Sequence, residues 1–131
     1  MFAKQAPTRV IIETTGSDNV ANVVDVGGVT TTLTVPQVLA GIMTSQPATA
    51  IVLIFPSAYD LIGGDYDKAY VGYGKQLYLR NDGTEVITLV PGAGGSLSGD
   101  GSIHASSYAA RFYFRLINVI PGQEAYQLIR T

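Results

Sequence analysis

An all-β domain is the fold class this sequence predicts, and more closely an antiparallel β-sandwich or jelly roll of about eight strands with one or two short helical turns. Three observations predict it. Short stretches rich in β-branched residues recur along the chain, several of them alternating apolar and polar. Glycine, proline and Asx turn residues separate them. The stretches with helical spacing are few and short.

The elements follow in order. Residues 1–8 can serve as an arm, and Arg9–Glu13 (RVIIE) and Ala21–Val26 (ANVVDV) read as strands. Val29–Val35 (VTTTLTV) alternates, with Val29, Thr31, Leu33 and Val35 on one face and threonines on the other. Pro36 then opens a helical spacing through Val38, Leu39, Ile42 and Met43, which predicts a short helix over about residues 35–43. Ala50–Phe55 (AIVLIF) is apolar on both faces and reads as a central strand. Ser57 and Asp60, three apart, cap at most one helical turn that Gly63-Gly64 stops. Residues 65–75 form a loop with a strand edge.

Gln76–Arg80 alternates again, with Leu77 and Leu79 inward and Tyr78 and Arg80 outward. Asn81-Asp82-Gly83-Thr84 carries the Asp-Gly pair of a two-residue type I′ hairpin, with Glu85–Val90 (EVITLV) running back beside it. Arg111–Asn118 (RFYFRLIN) sends Phe112, Phe114 and Leu116 to one face and Arg111, Tyr113 and Arg115 to the other. Pro121-Gly122 turns the chain into a last strand, Ala125–Ile129. There is no internal repeat and no boundary signal, so residues 1–131 read as one domain.

Composition narrows the function. The chain has 131 residues and no cysteine, which excludes disulfides, thiolate metal sites and cysteine nucleophiles. Charged residues make up 14%, against roughly 25% in an ordinary soluble domain. A net charge of −2 offers no basic footprint for nucleic acid. No leader is evident, and the longest apolar run, Ala50–Phe55, is too short to span a membrane.

The stretch from Leu89 to Ser107 concentrates glycines, serines and the single histidine. Gly92-Ala93-Gly94-Gly95 follows a strand, but an extended pattern comes after it where a dinucleotide fingerprint needs a helix. These glycines read as turn formers. His104 has Ser102, Ser106 and Ser107 nearby, yet neighbours along a strand point to opposite faces, so it reads as an exposed or interface histidine. Asp60, Asp65 and Asp67 offer too few oxygens for Ca²⁺ and read as a solvated loop. No cofactor, metal or catalytic residue is expected, and the chain is not expected to be an enzyme.

Partner contact is the remaining chemistry. Tyr66, Tyr70 and Tyr73 share one loop, where they either meet a partner or sugar or pack the sandwich rim. Arg111, Tyr113 and Arg115, with Arg130 assigned to the same outer side, form a face that suits a subunit contact better than a solvated surface, because charge is so scarce elsewhere.

The order of these segments resembles a known family. It consists of T-L-T-x-x-Q-[VL]-L-x-G-I ending at Ile42, the F-P-S-A of Phe55–Ala58, and R-N-x-G-T-E over Arg80–Glu85. V-P-G-A-G-G-S-L-S-G-D-G-S-I follows over Val90–Ile103, and A-R-F-Y-F-R-L-I-N-V-x-P-G-Q-E-A-Y over Ala110–Tyr126. Over residues 30–131 it resembles small β-sandwich modules of bacteriophage and large-virus particles, found as capsid-decorating or fibre-tip proteins. The resemblance implies a virion structural protein, homotrimeric, that holds to a major capsid or other virion protein. Its alternative is a fibre-tip module that binds a receptor or a host surface glycan.

Overall fold

The computed structural model describes residues 22–64, 70–106 and 108–131. The strand expected at Arg9–Glu13 and the arm at 1–8 lie outside them. The elements are β1 (Asn22–Asp25), β2 (Thr31–Thr32), α1 (Val35–Leu39), β3 (Gly41–Ser45), β4 (Ile51–Ile54) and α2 (Ala58–Gly64). After these come β5 (Gly74–Asn81), β6 (Ile87–Val90), β7 (Gly95–Ser98), β8 (Ser102–Ile103), β9 (Tyr108–Asn118) and β10 (Ala125–Arg130).

They form two mixed sheets. One has the order β1-β3-β5-β9-β10-β7 and the other β2-β4-β6-β8. From β1 to β8 each strand lies in the opposite sheet from the one before it. Along the first six strands the chain re-enters each sheet in the direction in which it left, so β1, β3 and β5 run parallel, as do β2, β4 and β6, whereas β8 returns antiparallel to β6. Strands β9 and β10 then return as an antiparallel hairpin between β5 and β7. The β-rich expectation holds. The antiparallel one is corrected, since five of the eight pairings among the described residues are parallel. Alternation specifies which face of a strand is buried and carries nothing about the direction of its neighbour.

Helix α1 starts as expected. Thr34 Oγ1 accepts from the Gln37 N–H at 3.3 Å, and Gln37 Oε1 accepts from the Thr34 N–H at 2.9 Å. It ends sooner than expected, at Leu39. Gly41 takes a φ of +99°, and Ile42 and Met43 leave the helix to join β3. There Met43 is fully buried between Val24 and Leu79. Two strand partners hold these residues, where an eighth and ninth helical residue would have only their own turn. Helix α2 is longer than the single turn expected, running seven residues from a Ser57 cap whose Oγ accepts from the Asp60 N–H at 3.1 Å.

Both sheets contribute to one apolar core. Phe55, at the end of β4, stacks tilted on Phe114 of β9 at 5.7 Å and on Tyr126 of β10 at 5.4 Å. Leu77, Leu79, Phe112, Phe114 and Leu116 point inward as their alternation predicts.

The Asp82-Gly83 hairpin does not form. Strands β5 and β6 lie in different sheets, and Gly83 is not among the glycines with positive φ. The turn instead carries the chain across the core. The Asp82 N–H donates to the Ser45 carbonyl at 2.8 Å and the Thr84 N–H to the Pro47 carbonyl at 3.0 Å. Local turn chemistry had a competitor in these neighbouring loops.

Candidate interaction surface

The outward side of the six-stranded sheet is assembled by register. Across β1, β3, β5 and β9 one row reads Val23, Ile42, Tyr78, Arg111. The next across β5, β9 and β10 reads Gln76, Tyr113, Ile129, and a third reads Gly74, Arg115, Gln127. Arg111, Tyr113 and Arg115 therefore share one face, as the alternation of β9 predicts. Val23, Tyr78, Arg111 and Arg115 are exposed, and Ile42, Tyr113 and Ile129 are half-buried.

Each arginine is braced by a neutral neighbour. Arg111 Nε donates to Thr131 Oγ1 and Arg115 Nε to Gln127 Oε1, both at 3.1 Å. Neither makes an ion pair among the described residues, where the one salt bridge joins Arg80 to Asp82 at 2.7 Å. The hydrogen bond and charge of Asp82 raise the pKa of the already basic Arg80. The Tyr113 phenol lies across Gly74, where a side chain would collide with it. Tyr113 thus caps its own sheet and presents only part of its ring.

Arg130 does not belong to this face. It shares the inward parity of Tyr126 and Leu128 and sits with its guanidinium 5.5 Å from the centre of the Phe112 ring. Its Nη1 donates to the carbonyls of Asp100 at 2.7 Å and Ser102 at 3.0 Å. At a strand end, inward parity leads to the sheet margin, where a long side chain can reach loop carbonyls.

The tyrosine loop divides. Tyr66 lies outside the described residues. Tyr73 packs edge-on against the core ring of Phe114 at 6.3 Å, which is rim packing. Tyr70 meets Tyr73 edge-on at 5.8 Å and remains exposed. Tyr73 leans on an inward residue of β9 whereas Arg111, Tyr113 and Arg115 point outward, so the two groups do not form one site.

Tyr70 belongs to a second apolar patch that sequence reasoning missed. The Gly72 N–H donates to the Leu116 carbonyl and the Leu116 N–H to the Tyr73 carbonyl, both at 2.8 Å. These bonds set the 70–73 turn beside the end of β9 and its turn into β10. Val71 and Ile120 are 62% and 55% exposed there. Helix α2 starts at the same end, since Gly94 lies between Ala58 and the Glu124 carbonyl, and α2 carries Tyr59, 70% exposed. No periodicity marks single apolar residues in turns, so only their placement brings them together.

The glycine-rich stretch forms β7, β8 and the turns around them. A side chain on Gly92 would strike the carbonyl of Phe55, and one on Gly101 that of Leu89. The Gly92 N–H is engaged by Tyr126 Oη at 2.8 Å. His104 is exposed, 6.1 Å edge-on from the Tyr108 ring, and no serine hydroxyl hydrogen-bonds to it among the described residues. Asp100 accepts from the Ser102 N–H at 2.8 Å, which holds its carboxyl below the usual range. Asp65, Asp67 and Ser107 lie outside the described residues. Among those described, no three His, Asp or Glu side chains could share a metal ion, and no helix is long and apolar enough to cross a membrane.

No family model, no curated protein and no solved structure matches this chain.

Proposed function

We propose that this chain is a structural protein of a virus particle, a compact sandwich-like module that decorates or joins a capsid as a homotrimer and has no catalytic activity. The observation that carries the reading is the outer face of the six-stranded sheet. Tyr78, Tyr113, Ile42, Ile129 and Val23 surround two arginines that lack acidic partners among the described residues. A face that mixes half-buried apolar and aromatic groups with braced arginines suits the centre of a protein contact. The segment order that resembles capsid-decorating modules supports the same reading, with a major capsid protein as the second partner and the virion as its location. Sedimentation velocity of the purified chain tests it. A stable trimer at micromolar concentration is expected, and a monomer throughout that range overturns the assembly.

A receptor- or glycan-binding fibre-tip role is favoured by one observation, the exposed Tyr70 ring held edge-on by Tyr73. A ring fixed in this way offers a stacking surface at little entropic cost. Glycan-array binding that disappears in Tyr70→Ala would establish that role. An array blank with and without Ca²⁺ would remove it.

A further inference from the structure

A trimer with cyclic symmetry closes through a heterologous contact, in which two different patches of each chain meet. The fold presents two patches of opposite character. The sheet face carries Arg111 and Arg115, neither ion-paired among the described residues, among Gln76, Tyr78 and Tyr113. The α2 end carries exposed Tyr59, Tyr70, Val71 and Ile120 together with Asp60 and Glu124, which make no ion pair among the described residues either.

We propose that the α2 end of one copy docks on the outer sheet face of the next, with Asp60 and Glu124 facing Arg111 and Arg115, and that three such contacts close the ring. This rests on the oligomeric reading above and names its surfaces. Apolar side chains supply area in both patches, and the opposite charges choose the pairing. Face against face would bring four arginines together, and end against end four carboxylates, so like-charge repulsion disfavours both isologous arrangements.

The test uses the whole chain and three charge-reversed variants. Arg111→Glu with Arg115→Glu reverses the face, Asp60→Lys with Glu124→Lys reverses the end, and the fourfold variant reverses both. With wild type trimeric, each double variant is expected to sediment as a monomer with an unchanged circular dichroism spectrum, and the fourfold variant to regain the trimer. Double variants that remain trimeric, or a fourfold variant that stays monomeric while folded, overturn the proposal. A monomeric wild type would instead remove the oligomeric reading on which it rests. Because the chain has no cysteine, a second measurement avoids charge altogether. Gln76→Cys alone and Ile120→Cys alone should give no bismaleimide dimers. The chain carrying both should give a ladder that stops at three. Dimers from either single-cysteine chain would show an isologous contact and overturn it.

Discussion

The Asn81 side chain donates from Nδ2 to the carbonyl of Ile103 at 3.0 Å, a bond that ties the last residue of β5 in one sheet to β8 in the other. The same nitrogen donates to the Glu85 carbonyl at 2.7 Å, and Oδ1 accepts from the Gly83 N–H at 2.9 Å. Asn81 is completely buried, so one amide satisfies three backbone groups where the chain crosses between sheets. Asn81→Ala strands those groups and is expected to cost about 3 kcal/mol in urea unfolding. Asn81→Asp, which sets a carboxylate against two carbonyls, should cost at least as much near neutral pH. A loss below about 1 kcal/mol for Asn81→Ala would mean that the amide does not hold this crossing.

Gly83 and Gly122 should respond differently to the same substitutions. A side chain on Gly83 would run into Pro47, both ring and backbone, while Gly122 has open space and a φ of +84°. Asparagine tolerates positive φ but is larger than alanine. Gly122→Ala is therefore expected to cost about 1 kcal/mol and Gly122→Asn less. At Gly83 both changes should cost about 2 kcal/mol or more, with no advantage for asparagine. An asparagine at 83 that is tolerated better than alanine in thermal unfolding would restore the type I′ hairpin.

Tyr126 should make the fold sensitive to alkali. Burial pushes its phenol pKa up to about 12, against the smaller opposing effect of the hydrogen bond from Gly92. An unfolded tyrosine ionises near pH 10, so below that pH the group is protonated in both states and adds no slope. Above it the unfolded chain loses its proton first, and stability falls as pH rises towards the folded value. Tyr126→Phe should flatten that fall, at the expense of a small loss near neutral pH from the Gly92 N–H it leaves without an acceptor. Denaturant unfolding across the alkaline range reads both effects, and an unaltered alkaline slope in the variant would refute the assignment.

Much of the face was legible beforehand. The alternation of β9 places Arg111, Tyr113 and Arg115 outward, and that of β5 does the same for Tyr78, because residues two apart on a strand share a side wherever it pairs. The same reasoning failed for Arg130, which has the parity of the buried Tyr126 but sits at a strand end. It also failed at Ile42 and Met43, whose spacing suits a helix as well as a strand. Tyr59, Val71 and Ile120 carried no signal, being isolated in sequence and gathered only by the turns that fold back on β9 and β10.

What this sequence determined by itself is local: which face of β5 and β9 is apolar, the start of α1 around Pro36, the Ser57 cap, and the turn at Gly122. Those properties depend on the nearest few residues. The tertiary structure alone decided that strands β1 to β8 alternate between two sheets, that parallel pairs outnumber antiparallel ones among the described residues, and that Gly83 lies against Pro47. Strand direction and sheet membership are set by contacts between residues tens of positions apart, where backbone hydrogen bonds and a shared core outweigh the preference of any single turn.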